Sequence, residues 1–149
     1  MTPLQQDRAS AVTLATTVST LASAAYVLLG RLQLSTIMGA AGFAALTSDW
    51  RVTSIAFSTA PTSGVLALVF IPRDFAGNAG PTPTANLVPN GVKNLNISFG
   101  ASNSSTTPTP QGVDTVLVPF DCDVYLYNGT NQTLSAGVVV QYMAWSPAQ

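Results

Sequence analysis

The sequence predicts an all-β chain, an antiparallel sandwich or jelly roll, and three observations carry the prediction. About seven short runs rich in β-branched and aromatic residues recur along the chain. Pro, Gly and Asn turn signals separate them. No internal repeat and no shift in composition marks a second domain, and 149 residues suit a single domain with a sizeable core. We therefore expect one domain over residues 1–149, with residues 1–20 as an N-terminal arm.

The elements follow in order. Residues 10–34 fit two patterns. Leu14, Val18, Leu21, Ala25, Leu28 and Leu32 make a helical stripe. Val12, Leu14, Thr16 and Val18 alternate as a strand would, and Thr is frequent. The run "AAYVLLGRLQL" reads as a strand interrupted by Gly30. Residues 35–48, "STIMGAAGFAALTS", predict one short helix capped by Ser35 or Thr36. "WRVTSIAFS" follows as a strand with an imperfect period: Trp50, Thr53, Ile55 and Phe57 against Val52, Ser54, Ala56 and Ser58. "TAPTSG" is a turn, and "VLALVFIP" is a continuous apolar strand expected to be buried on both faces.

Residues 73–91 read as loop because Pro and Gly recur through them. "VKNLNISFG" alternates Val92, Asn94 and Asn96 against Lys93, Leu95, Ile97 and Phe99. A second polar loop, "ASNSSTTPTPQG", precedes three further strands: "VDTVLVPF", "CDVYLYN" and "AGVVVQYMAW". Asn128-Gly129 is a hairpin signal between the last two. The last strand would place Val138, Val140, Tyr142 and Ala144 on one face and Val139, Gln141, Met143 and Trp145 on the other. Both faces are largely apolar, whereas a half-exposed antiparallel strand is polar on one side. A second copy of the chain would cover the second face.

Composition points the same way. Charged residues make up 7% of the chain and hydrophobic ones 47%, against roughly 25% charged in ordinary soluble domains. The five basic residues, Arg8, Arg31, Arg51, Arg73 and Lys93, are scattered, so no basic arm for nucleic acid is present in the sequence. Net charge is −1. The lone Cys122 cannot form an intrachain disulfide and reads as a small buried hydrophobe. Between Arg8 and Arg31 lie 22 uncharged residues, but seven are Ser or Thr, so hydropathy argues against a membrane span.

With no His, a Ser-His-Asp or Cys-His device cannot be built, and one Cys cannot ligate zinc alone. "GAAG" lacks the spacing of a phosphate-binding loop. No catalytic residue is expected. Asp121 and Asp123 alternate about Cys122 and are the candidates for a structural divalent cation. Two solvated carboxylates at a strand start is the reading the pattern favours. Sequons at Asn96, Asn103, Asn128 and Asn131 matter only for a secreted chain.

The stretch "SDWRVTSIAFSTAPTSGVLALVFIPRDF" resembles the paired strands of coat proteins from small icosahedral plant RNA viruses. "DVYLYNGTNQTLSAGVVVQYMAWSP" resembles their last two strands. "QQDRASAVTLATTVS" and "LSTIMGAAGFAALTSDWRV" look most like the tymovirus branch. The chain is short for that group, and only Asp74 stands where related coats carry an acidic calcium cluster. The resemblance implies a jelly-roll sandwich of about seven to eight strands, with one short helix before "WRVTSIAF". It implies a capsid protein of the virion, found in host cytoplasm during assembly, that self-assembles into an icosahedral shell around single-stranded viral RNA. No cofactor and no membrane partner are expected.

In such a shell Trp50, Met143 and Trp145 would anchor the core or subunit interface, since aromatics and Met are favoured there. Arg8, Arg31 and Arg51 would be the RNA contacts. The alternative is a pilin-like filament subunit, with a packing helix over 9–30 and a β-sandwich outer domain. A carbohydrate-binding sandwich ranks behind both, because the aromatics fall inside strand patterns.

Overall fold

The computed structural model describes residues 6–8, 12–15, 20–32, 47–84, 93–108, 113–117 and 121–147. Nine strands run through them: β1 (Gln6–Arg8), β2 (Val12–Ala15), β3 (Ala25–Leu32), β4 (Thr47–Phe57), β5 (Val65–Pro72), β6 (Lys93–Ser98), β7 (Val113–Leu117), β8 (Cys122–Asn128) and β9 (Leu134–Pro147). They form two antiparallel sheets. In one, β9 lies between β4 and the N-terminal strands, with β1 on its last residues and β2 further back, and β7 flanks β4. In the other the order is β3-β8-β5-β6. Beyond β2, every connection except β5 to β6 passes from one sheet to the other.

The apolar pattern explains which strands are central. β5 is buried from Leu66 to Ile71. Leu66, Leu68 and Phe70 point between the sheets, and Ala67, Val69 and Ile71 pack on the outer side with Tyr125. β8 does the same, with Cys122, Val124 and Leu126 inward. Burying one such aliphatic side chain contributes about 1.5–3 kcal/mol. On β9, Val138, Val140 and Tyr142 are buried in the core while Val139 and Gln141 are half-buried, so the predicted alternation holds there. Trp50 is 1% exposed and lies edge-on to Phe70, with ring centroids 4.9 Å apart. Trp50 also stacks on Tyr142, at 4.8 Å.

The imperfect period of "WRVTSIAFS" has a cause. The pairing of β4 with β9 shifts between Val52 and Ser54, and again beyond Ser54. Such a bulge inserts a residue and reverses the phase. Trp50 and Val52 face the core before it, and Ile55 and Phe57 after it, with Thr53 and Ser54 exposed between. β3 shifts register between Leu28 and Gly30, where its sequence breaks.

Two expectations are corrected. The strands β2 and β3 interrupt residues 9–30, so a continuous packing helix there is excluded. Of the expected helix, residues 35–46 lie outside the described residues, and Thr47 and Ser48 open β4 instead. Within the expected arm, residues 6–8 and 12–15 pair with β9. Among the described residues no helix is long and apolar enough to cross a membrane.

Candidate functional site

Arg31, Arg73, Asp121 and Asp123 gather at one end of the β3-β8-β5 surface. Register sets Arg31 and Ile71 on either side of Asp123, and Leu32 and Pro72 on either side of Cys122. Arg73, the residue after β5, therefore reaches the same level. Its Nε donates to Asp123 Oδ1 at 2.9 Å, and its Nη2 lies 2.8 Å from the same oxygen. Its Nη1 donates to Gly77 O at 2.8 Å. Its backbone N donates to Asp121 O at 3.0 Å. Beside it, Arg31 Nη2 pairs with Asp121 Oδ2 at 2.6 Å.

The expectation of two solvated carboxylates is thus corrected. Asp123 is 2% exposed and ion-paired with Arg73. Asp121 is partly exposed and paired with Arg31. A carboxylate taken out of water needs an opposite charge or donors, and the arginines supply them. Among the described residues no group of three or more His, Cys, Asp or Glu side chains could hold a metal. On the core side of the same strand, burial pushes the Cys122 thiol up to about 12, with the Asp123 and Asp121 charges adding to it. It stays protonated and unreactive at neutral pH.

The loop after Arg73 is a stiff turn. Asp74 Oδ1 accepts from Ala76 N at 2.9 Å and Asn78 N at 2.7 Å, and Oδ2 accepts from Asn78 Nδ2 at 2.7 Å. Gly77 N donates to Asp74 O at 2.9 Å. Gly77 has φ +82°, a conformation only glycine adopts at low cost. The donors from Asn78 lead in holding the Asp74 carboxyl below its ordinary pKa. Phe75, at the tip, is fully exposed at 111%.

The opposite end is built from neutral groups. Residues 20–24, 58–64, 99–107 and 128–133 contain no charged residue. Asn128 is 0% exposed there, and its Nδ2 donates to Leu21 O, Ala22 O and Gln132 O at 2.8–3.2 Å. Its Oδ1 accepts from Thr130 N at 3.2 Å and lies 2.7 Å from Thr130 Oγ1. The Asn128 sequon is therefore closed to modification in the folded chain. Asn131 exchanges hydrogen bonds with Thr62, and Asn103 Nδ2 reaches Pro61 O. A depression of about 460 Å³ opens beside this end, between the last residues of β6 and the loop that follows, lined by Ile97, Phe99 and Pro108 and by polar groups that include Asn103 and Thr107.

The candidate residues separate. Trp50 is a core anchor. Met143 and Trp145 lie on β9, opposite Asp49 and Thr47, and their side chains lie outside the described residues. Arg8 pairs with Trp145 along the backbone, and its side chain likewise lies outside them. Arg31 is committed to Asp121. Arg51 is exposed on β4, between Gln141 and Val113 in register. Arg73 was not singled out by sequence, because its partner is 50 residues away. The only local signal for the Phe75 turn was the Asp-x-x-Gly spacing in "RDFAG".

No protein-family model matches the chain, and no curated protein matches it either.

Proposed function

We propose that the two sheets form a jelly roll and that the chain is a capsid protein, assembling with copies of itself into an icosahedral shell around single-stranded RNA. The observation that carries the reading is the strand order. The series β2-β9-β4-β7 opposite β3-β8-β5-β6 is what two interleaved Greek keys produce, and capsid domains use that arrangement. The scarcity of charge supports it, since surface poor in charge suits burial against copies.

Two of the five basic residues, Arg31 and Arg73, are neutralised within the chain. RNA charge would then be balanced mainly by mobile cations, and assembly driven by contacts between copies. The filament reading loses its packing helix to β2 and β3.

Negative-stain electron microscopy of the purified chain, with its sedimentation, tests this. Closed particles of uniform size are expected. Thin filaments, or a dispersed monomer at high concentration, would overturn the reading.

A further inference from the structure

We propose that Tyr26 and Tyr127 form a modification site, where a one-electron oxidant joins their rings into a dityrosine link that staples β3 to β8 within one chain. The inference is independent of the shell reading. Sheet register sets the two residues directly opposite each other, on the outer face of the β3-β8-β5-β6 sheet. Their rings stack with centroids 4.4 Å apart and planes 25° from parallel. That separation is at the close end of aromatic contacts. A Cβ on Gly129 would come within 2.5 Å of the Tyr127 ring, so a larger residue there would displace it.

Access singles out this pair. The chain has four tyrosines. Tyr125 is 8% exposed and Tyr142 6%, the latter stacked on Trp50 in the core. Tyr26 and Tyr127 are half-buried, so an oxidant in solvent reaches both. Cys122, which oxidises readily when exposed, is buried. The position also gives the link a consequence. β3 has a hydrogen-bonded neighbour on one side only, and that neighbour is β8. The link would tie an edge strand to the buried middle of its sheet.

The chemistry balances with a peroxide as the oxidant. Each phenol gives up one electron and its proton and becomes a phenoxyl radical. The radicals couple through the ring carbons beside the oxygens, forming one C–C bond. The hydrogens on those two carbons then move to the phenol oxygens as the rings become aromatic again. Two electrons and two protons leave in all, and hydrogen peroxide takes them up to become two waters. Directly bonded six-membered rings have centres at about the same separation as this stack. Coupling therefore asks the rings to turn and leaves the strands in register.

Dilute purified chain treated with peroxidase and hydrogen peroxide tests this, beside Tyr26→Phe, Tyr127→Phe and Tyr125→Phe. Phenylalanine keeps each ring and removes only the phenol, so the variants keep the fold, which circular dichroism verifies. Wild type is expected to gain dityrosine fluorescence while running as a monomer under denaturing conditions. Its mass should fall by two hydrogens, with tryptic peptides 9–31 and 94–149 joined. Tyr125→Phe should behave as wild type, and Tyr26→Phe and Tyr127→Phe should each abolish the link. The linked chain should unfold at higher urea, because the link closes a loop of roughly 100 residues in the unfolded state. No fluorescence in wild type, fluorescence carried only by linked dimers, a link that survives in Tyr26→Phe or Tyr127→Phe, or an unchanged urea midpoint would overturn the proposal. Each of these would leave the shell reading standing.

Discussion

At the Asn128 end of the sandwich, loops are tied by neutral donors and acceptors; at the Asp123 end, two arginines do equivalent work with charge. Both ends join segments far apart in sequence. Asn128 reaches Leu21 across 107 residues, and Arg31 reaches Asp121 across 90. The neutral end is satisfied whatever the pH or salt. The charged end depends on ionised carboxylates and, where it meets solvent, on ionic strength. The comparison teaches where this fold can be loosened by solution conditions and where only a mutation will do it.

The largest effect is chemical and sits at the charged end. Burial, then the Asp123 and Asp121 charges, raise the Cys122 thiol from 9.0 to about 12, which leaves roughly a thousandfold less thiolate at pH 8. Native Cys122 is therefore expected to react with a thiol reagent orders of magnitude more slowly than the same residue in urea. The sign for stability follows. The fold favours the neutral thiol, so its contribution is intact below about pH 9 and is lost as pH rises toward 12. Equal labelling rates with and without urea would contradict the placement of Cys122 inside the sandwich.

Asn128→Ala comes next, at the neutral end. It removes the buried amide that holds the carbonyls of Leu21, Ala22 and Gln132 and leaves the Thr130 amide without its acceptor, while Leu134 N still reaches Leu21 O and Thr130 Oγ1 still reaches Gln132 O. A loss of about 3 kcal/mol is expected from the buried hydrogen bonds lost together with the orphaned Thr130 amide. Urea unfolding should show the same loss at pH 5 and pH 8, and in low and high salt. A loss that varied strongly with salt would blur the distinction between the ends.

Asp123→Asn should cost about 2 kcal/mol, below the usual range for a broken buried pair because Arg73 keeps 18% of its side chain in solvent. Replacing both partners, Asp123→Leu with Arg73→Met, should recover most of the loss, since no charge is then left unpaired. A double variant no better than the single would mean that Arg73 acts through Gly77 rather than through Asp123.

These contrasts bear on what the chain discloses before its structure is seen. β5 was legible end to end, because an unbroken apolar run lies between Gly64 and Pro72. The break in β3 at Gly30 was legible too, and the uneven period of β4 was visible before the bulge explained it. Residues 10–34 carried both a helical and a strand pattern, and pairing with β9 and β8 decided for strand at 12–15 and 25–32. The end clusters were not legible. "DCD" does not say that each carboxylate will meet an arginine from another strand. "NGT" announces a turn but not that its Asn will be fully buried. In both cases the partner is chosen by sheet register, which no local spacing encodes.

The smallest effect is Arg31→Ala. Its side chain is 33% exposed and that of Asp121 29%, so water already screens the pair. Pairs of this kind contribute about 0.2–1 kcal/mol. Asp121 stays solvated when the arginine is removed, unlike Asp123 two residues on. The loss should therefore stay under about 1 kcal/mol and shrink further in 1 M salt, where charges are screened within about 3 Å. Arg31 Nη2 also lies where a Cβ on Gly77 would come within 3.2 Å, against the flank of the Phe75 turn. If Arg31→Ala cost as much as Asp123→Asn, the exposed pair would be holding that turn in place. The charged end would then be one clamp of four side chains rather than a strong pair beside a weak one.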